Sequence, residues 1–408
     1  MKKRLCILVL SIICSFAFSN GFIRDRFFEV KVNTPVNFVN NTFHCFDLFQ
    51  KELVIDLREL ADRVPDTGAL FCINANPNIE INLNIKDKIR FSYNYGMDLI
   101  GNVTLHKNLF TLLGYGNEES GEVEVSGTCA FDAFMFYGFE VATNINKFAF
   151  SLKPNLFFPI FGYKVNDLSL QLKNNEEGTL VFEQVYTQEV YFSQEELYYL
   201  FTPVMNCAGV DIDGAVEFKP FDLLTFNLNF KVPILPGKYK YCAKENISVT
   251  KEINIFPNDE SEESDEDLSQ TEENFDQETE DNASKMDMEE INILIRRPLK
   301  ANLQVDFMLL KNFLVLSAAG GVGISNPFFE NYVVYPEYYF GIEMNFGNIF
   351  RTSLSTEYIN QIFSHNVKAT INLRLIQVDA GFSFSGLEFF KTFRGNGFGA
   401  FVSVAMGF

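Results

Sequence analysis

The chain has 408 residues, with 46 Phe, 16 Tyr, no Trp and a formal net charge of −20. That charge argues against a nucleic-acid partner, since a polyanion repels an acidic chain. Beyond the first 20 residues no stretch is apolar for the ~18 residues that would signal a membrane-spanning helix.

The amino terminus, MKKRLCILVLSIICSFAFSNGF, starts basic at Lys2, Lys3 and Arg4 and runs apolar from Leu5 to Phe18. It closes on Ala17-Phe18-Ser19, which predicts a secretory signal peptide over 1–19, cut after Ser19. Lipidation at Cys14 is the sharper alternative, against which Ile13 is too bulky. Export excludes cytoplasmic function classes and makes residues 20–408 the mature domain.

Downstream, period-two alternation dominates, and period two means strands. Fourteen strands are predicted, near 23–33, 68–86, 88–103, 122–143, 147–161, 208–219, 223–234, 298–309, 312–324, 336–346, 349–359, 366–375, 376–386 and 397–408. Connections alternate between tight turns, such as Gly347-Asn348, and long segments at 34–67, 104–121, 162–207 and 235–297. Residues 47–64 read as a helix, with Phe49, Leu53, Leu57, Leu60 and Val64 at helical spacing and Pro65 as the stop. That helix is either a plug folded into a lumen or a helix packed on a rim. A shorter helix is predicted from Ser193 (SQEELYYLF), lining an entrance or covering a mouth. The segment 257–290 is predicted to be a disordered acidic outer loop, its stretch 259–290 holding 16 acids against one lysine. Its reading as a solvated loop outweighs one as a calcium site.

Charges keep to one register of the alternation. In the strand 367–375, Val367, Ala369, Ile371 and Leu373 oppose Lys368, Thr370, Asn372 and Arg374. A charge on a lipid face at mid-bilayer costs roughly 2–4 kcal/mol, so one clean apolar face predicts lipid contact. The fold class that follows is all-β: one antiparallel transmembrane barrel of about 14 strands, with long outer loops and one or two loop helices. Arg90, Lys231, Lys300, Glu343, Arg351, Glu357, Lys368, Arg374 and Asp379 are then the lumen-lining candidates. Phe134, Phe136 and Phe401 break the register.

The signal peptide, the alternating hairpins and the terminal strand VSVAMGF resemble those of bacterial outer-membrane barrel proteins. Phe408, with Met406 and Val404 before it at alternate positions, is similar to the C-terminal signal read by the barrel-assembly machinery. NFVNNTFHCFDLFQKELVIDLRELADRV together with FAFSLKPNLFFPIF resembles a group of spirochaete (treponeme-type) barrels, themselves likened to the FadL long-chain fatty-acid transporters. The FadL likeness implies passage of hydrophobic compounds. One departure is that FadL-type chains carry an N-terminal hatch, whereas here a strand is predicted from Ile23.

Cys45 with Cys72, and Cys207 with Cys242, bracket outer connections and are placed to form disulfides, which export permits. His44, His106 and His365 have no spaced partners resembling a zinc site, and no G-x-S-x-G occurs. No enzyme, metal or cofactor is expected. The expected partners are the outer-membrane bilayer, the assembly machinery and a small solute or hydrophobic ligand. The function expected is a channel; the alternative is a surface adhesin, antigen or structural protein acting through its loops.

Overall fold

The computed structural model describes residues 26–43, 56–85, 88–115, 122–174, 179–194, 203–254, 288–310, 313–325, 327–328, 332–347, 349–359, 362–373, 375–393 and 396–408. Residues 1–19, Cys45, Arg374, positions 47–55 of the first predicted helix and 195–202 of the second lie outside the described residues. So does the acidic segment up to position 287.

The described chain is a closed antiparallel β-barrel. Its strands run β1 Phe28–Asn33, β2 Val36–Asn40, β3 Ala69–Ala75, β4 Asn78–Ile85, β5 Ile89–Leu105, β6 Glu122–Ile145 and β7 Phe148–Asn174. They continue through β8 Thr179–Phe192, β9 Gly209–Phe221, β10 Leu224–Leu235, β11 Gly237–Asn254, β12 Met288–Ile295 and β13 Leu299–Leu309. The wall is completed by β14 Leu314–Ser325, β15 Val333–Phe346, β16 Phe350–Ile359, β17 Ile362–Leu373, β18 Ile376–Gly386 and β19 Gly397–Gly407. β1 and β2 pair end to end along β19, from Glu29 opposite Gly407 to Val39 opposite Gly397, and this closes the wall.

The expected count of about 14 strands is corrected: among the described residues the barrel has 16 strands, in a sheet divided into 19 segments. Proline is one reason, since it brings no N–H to a ladder. Pro35 falls between β1 and β2, Pro77 between β3 and β4, Pro236 between β10 and β11, and Pro298 between β12 and β13. The breaks are bridged rather than open: Asn76 N–H donates to the Pro35 carbonyl at 3.1 Å, and Met97 N–H to that of Pro77 at 3.0 Å.

A second correction concerns 162–207 and 235–297, expected as loops. β7 continues to Asn174, and its far half pairs with β8, which pairs in turn with β11 and so with β12. β7 has 27 residues. A strand of that length, tilted near 40°, rises about 70 Å, whereas an apolar membrane band is ~25 Å tall. These strands therefore project past the band at the long-connection end. The two-residue alternation continues there, as in Leu168 and Leu170 against Ser169 and Gln171, so the sequence of these stretches is that of strands rather than of loops.

Within the band the alternation has its expected cause. Leu303, Phe340, Leu354, Ile371 and Val402 are exposed on the outer face, while Ser92, Asp211, Thr370 and Ser403 are buried. This inversion of a soluble protein's burial suits a wall with lipid outside. Phe401 faces inward because Gly381, opposite it on β18, leaves room; a Cβ there would lie 2.1 Å from the ring.

Two helices of at least seven residues cap one side: α1 Leu57–Arg63, N-capped by Asp56, and α2 Lys107–Tyr115. α1 packs through Leu60 and Ala61 onto Phe110 of α2 and onto Ala69, Phe71 and Leu105 at the outer ends of β3 and β5. Of the two expected arrangements, the described part has the rim packing. A one-turn helix, α3 Phe389–Thr392, lies between β18 and β19.

Candidate functional site: the barrel interior

The interior is built from the polar register. A cavity of about 1020 Å³ is lined by Asn37, Asn76, Asp306, Glu343, Glu357 and Lys368, with Met308, Val315 and Phe401 as apolar wall. A cavity of about 410 Å³ is lined by Arg90, Glu217 and Asn227. A third, of about 340 Å³, is lined by Lys153, Asp213, Lys231 and Lys300.

Most of the candidate residues are tied to opposite charges on neighbouring strands or, for Lys300, two strands away across β14. Arg90 pairs with Glu140 at 3.2 Å, Lys300 with Glu337 at 2.6 Å, and Arg351 with Glu343 at 3.5 Å. Asp379 accepts a hydrogen bond from Thr370 at 2.6 Å and lies 3.9 Å from Lys368, whose ammonium sits 5.7 Å from the Phe401 ring centre. Lys231 lies 3.6 Å from Asp211 and 3.9 Å from Asp213. Glu357 lines the ~1020 Å³ cavity and forms no ion pair among the described residues.

One interior residue escaped the sequence reading. Arg297, in the break between β12 and β13, pairs with Asp98 of β5 and lies 3.2 Å from Asp211 of β9. Its guanidinium carbon is 5.3 Å from the Phe136 ring centre and 5.4 Å from that of Phe157, within cation–π range. Asp211 also accepts from Asn155 at 2.6 Å and is fully buried. Phe134 and Phe136 left the apolar register because they serve this cluster; Phe134 meets Phe157 edge-on at 6.3 Å. The available signal was Arg296-Arg297-Pro298, a basic pair against a strand-breaking proline.

The expected Cys207–Cys242 disulfide is corrected. Both cysteines are free and buried. The Cys207 thiol, in a 3₁₀ turn, points to the Ser193 carbonyl at 3.7 Å, while Cys242 packs with Tyr191 and Tyr239 on β8 and β11. Cys72 is free as well, and its expected partner Cys45 is outside the described residues.

No protein-family model matches the sequence, and no curated protein matches it. Solved structures do. A FadL homologue of Pseudomonas aeruginosa is 10% identical over 97% of this chain and 94% of its own, with a TM-score of 0.48. The toluene transporter TodX of P. putida is 8% identical over 95% and 91%, with a TM-score of 0.48. The toluene transporter TbuX of Ralstonia pickettii is 7% identical over 95% and 91%, with a TM-score of 0.43. The chain is similar to these barrels along almost its whole length.

Proposed function

We propose that this protein is an outer-membrane barrel that lets small solutes, hydrophobic compounds among them, cross the bilayer. The observation that supports this best is the ~1020 Å³ cavity enclosed by a wall whose outer face is apolar. Carboxylates and asparagines share that cavity with Met308, Val315 and Phe401, a mixture suited to small molecules with both polar and apolar parts. In this reading Arg90, Lys231, Lys300, Glu343, Arg351, Glu357, Lys368 and Asp379 form the wall of the passage. Residues 1–19 direct export, and Phe408 with Met406 and Val404 is read during assembly. The surface-adhesin alternative is not favoured, because an adhesin needs only filler inside its barrel. Swelling of proteoliposomes in a small neutral solute tests the proposal. Faster swelling than in protein-free vesicles is expected; identical rates, or a mature protein soluble without detergent, would overturn it.

A further inference from the structure

Arg297 reaches across the interior rather than along the wall. β13, which follows it, is hydrogen-bonded to β10 and β14. Asp98 stands on β5, and β10, β9, β7 and β6 lie between β13 and β5 around the barrel. The side chain is 11% exposed, so its charge is taken up by protein groups rather than by water. Both acceptors are held in place from behind. Asn76, at the β3–β4 break, donates to Asp98, and Asn155 and Lys231 hold Asp211.

Each end of the bridge is held by a residue that lines a cavity. Asn76, which holds Asp98, lines the ~1020 Å³ cavity, while Lys231, beside Asp211, lines the ~340 Å³ cavity. Between those two residues the guanidinium has a carboxylate on each side and the Phe136 and Phe157 rings beside it.

Resting on the passage reading above, we infer that Arg297 is a selectivity residue: its bridge from Asp98 to Asp211 is the constriction that sets the size and charge of what crosses. Selection by the bore of a constriction and the charges lining it is how polar pores discriminate. Arg297→Ala removes the crossbar and leaves Asp98 and Asp211 without their shared cation. Asp98→Asn keeps the crossbar and removes one carboxylate. The two variants therefore move the charge of the constriction in opposite directions.

The test uses the full mature chain in planar bilayers under a KCl gradient, and in vesicles with neutral sugars of increasing size. Arg297→Ala is expected to raise conductance about twofold or more, admit larger sugars and shift the reversal potential toward cations. Asp98→Asn is expected to shift the reversal potential toward anions. A merely structural brace would move neither potential with these signs. Wild-type conductance, sugar limit and reversal potential in both variants would overturn the inference and leave the passage reading standing. Absence of conductance and swelling from all three forms would overturn the passage reading itself. If Arg297→Ala fails to assemble, Asp98→Asn and Arg297→Gln carry the same readouts, and wild-type values in both would overturn the inference.

Discussion

Phe28 and Phe408 exchange both backbone hydrogen bonds: the Phe28 amide donates to the Phe408 carbonyl at 3.1 Å, and the Phe408 amide donates back at 3.0 Å. Their ring centroids are 6.1 Å apart, and Phe27 lies 6.2 Å from the Phe408 ring. The last residue thus locks the seam where β19 meets β1. An open edge in lipid leaves amides and carbonyls unpaired, at several kcal/mol per group. Deleting Phe408 is expected to lower the folded, heat-modifiable fraction about fivefold or more. Deleting 259–287, which spares β12, is expected to leave it unchanged. Equal folded fractions for the two deletions would refute this.

Leu354 and Ser353 are neighbours on β16 that face opposite sides of the wall. Leu354 is exposed on the outer face, while Ser353 lines the large cavity opposite Glu343. Leu354→Arg is expected to destabilise the barrel by about 2–4 kcal/mol in bilayers, the cost of a cation on a lipid face. Ser353→Arg meets a carboxylate and is expected to cost under ~1 kcal/mol. Urea unfolding in lipid vesicles measures both, and equal costs would contradict the assignment of faces.

Gly381 lies beneath the inward ring of Phe401, and a Cβ there would come within 2.1 Å of it. Gly381→Val is expected to destabilise by about 1–3 kcal/mol, the usual penalty for overfilling a packed site. Pairing it with Phe401→Ala is expected to recover part of that loss, because the ring is one obstacle and the Val367 carbonyl, 2.7 Å from that Cβ, is the other. A double variant whose losses simply add would remove this contact from the account of β18–β19 packing.

Cys207 and Cys242 carry free thiols in buried settings. Burial pushes the Cys207 thiol up from its ordinary range, which further reduces its thiolate fraction. Alkylation without reductant is expected to label neither cysteine in the folded barrel and both after unfolding. A peptide linking the two in a non-reducing digest would show that they pair after all.

The strand positions from 298 to 408 were legible from sequence because lipid outside and polar groups inside force a strict two-residue alternation on β13 to β19. The same pressure made the charged register readable, from Arg90 to Asp379. Gly381 with Phe401 was half legible: the misplaced Phe could be seen, but the glycine that receives it depends on cross-strand register.

What sequence alone determined was therefore the kind of wall: its all-β class and its alternating apolar face. Tertiary structure decided what that wall encloses and where it extends. β8, β11 and β12 fall in stretches expected as connections, and it is their pairing that makes them continuations of the sheet. Arg297 and Asp98 are 199 positions apart, and Asp211 lies between them in sequence. No local period links such residues; barrel closure brings them together, where a buried guanidinium needs carboxylates to replace the water it has lost.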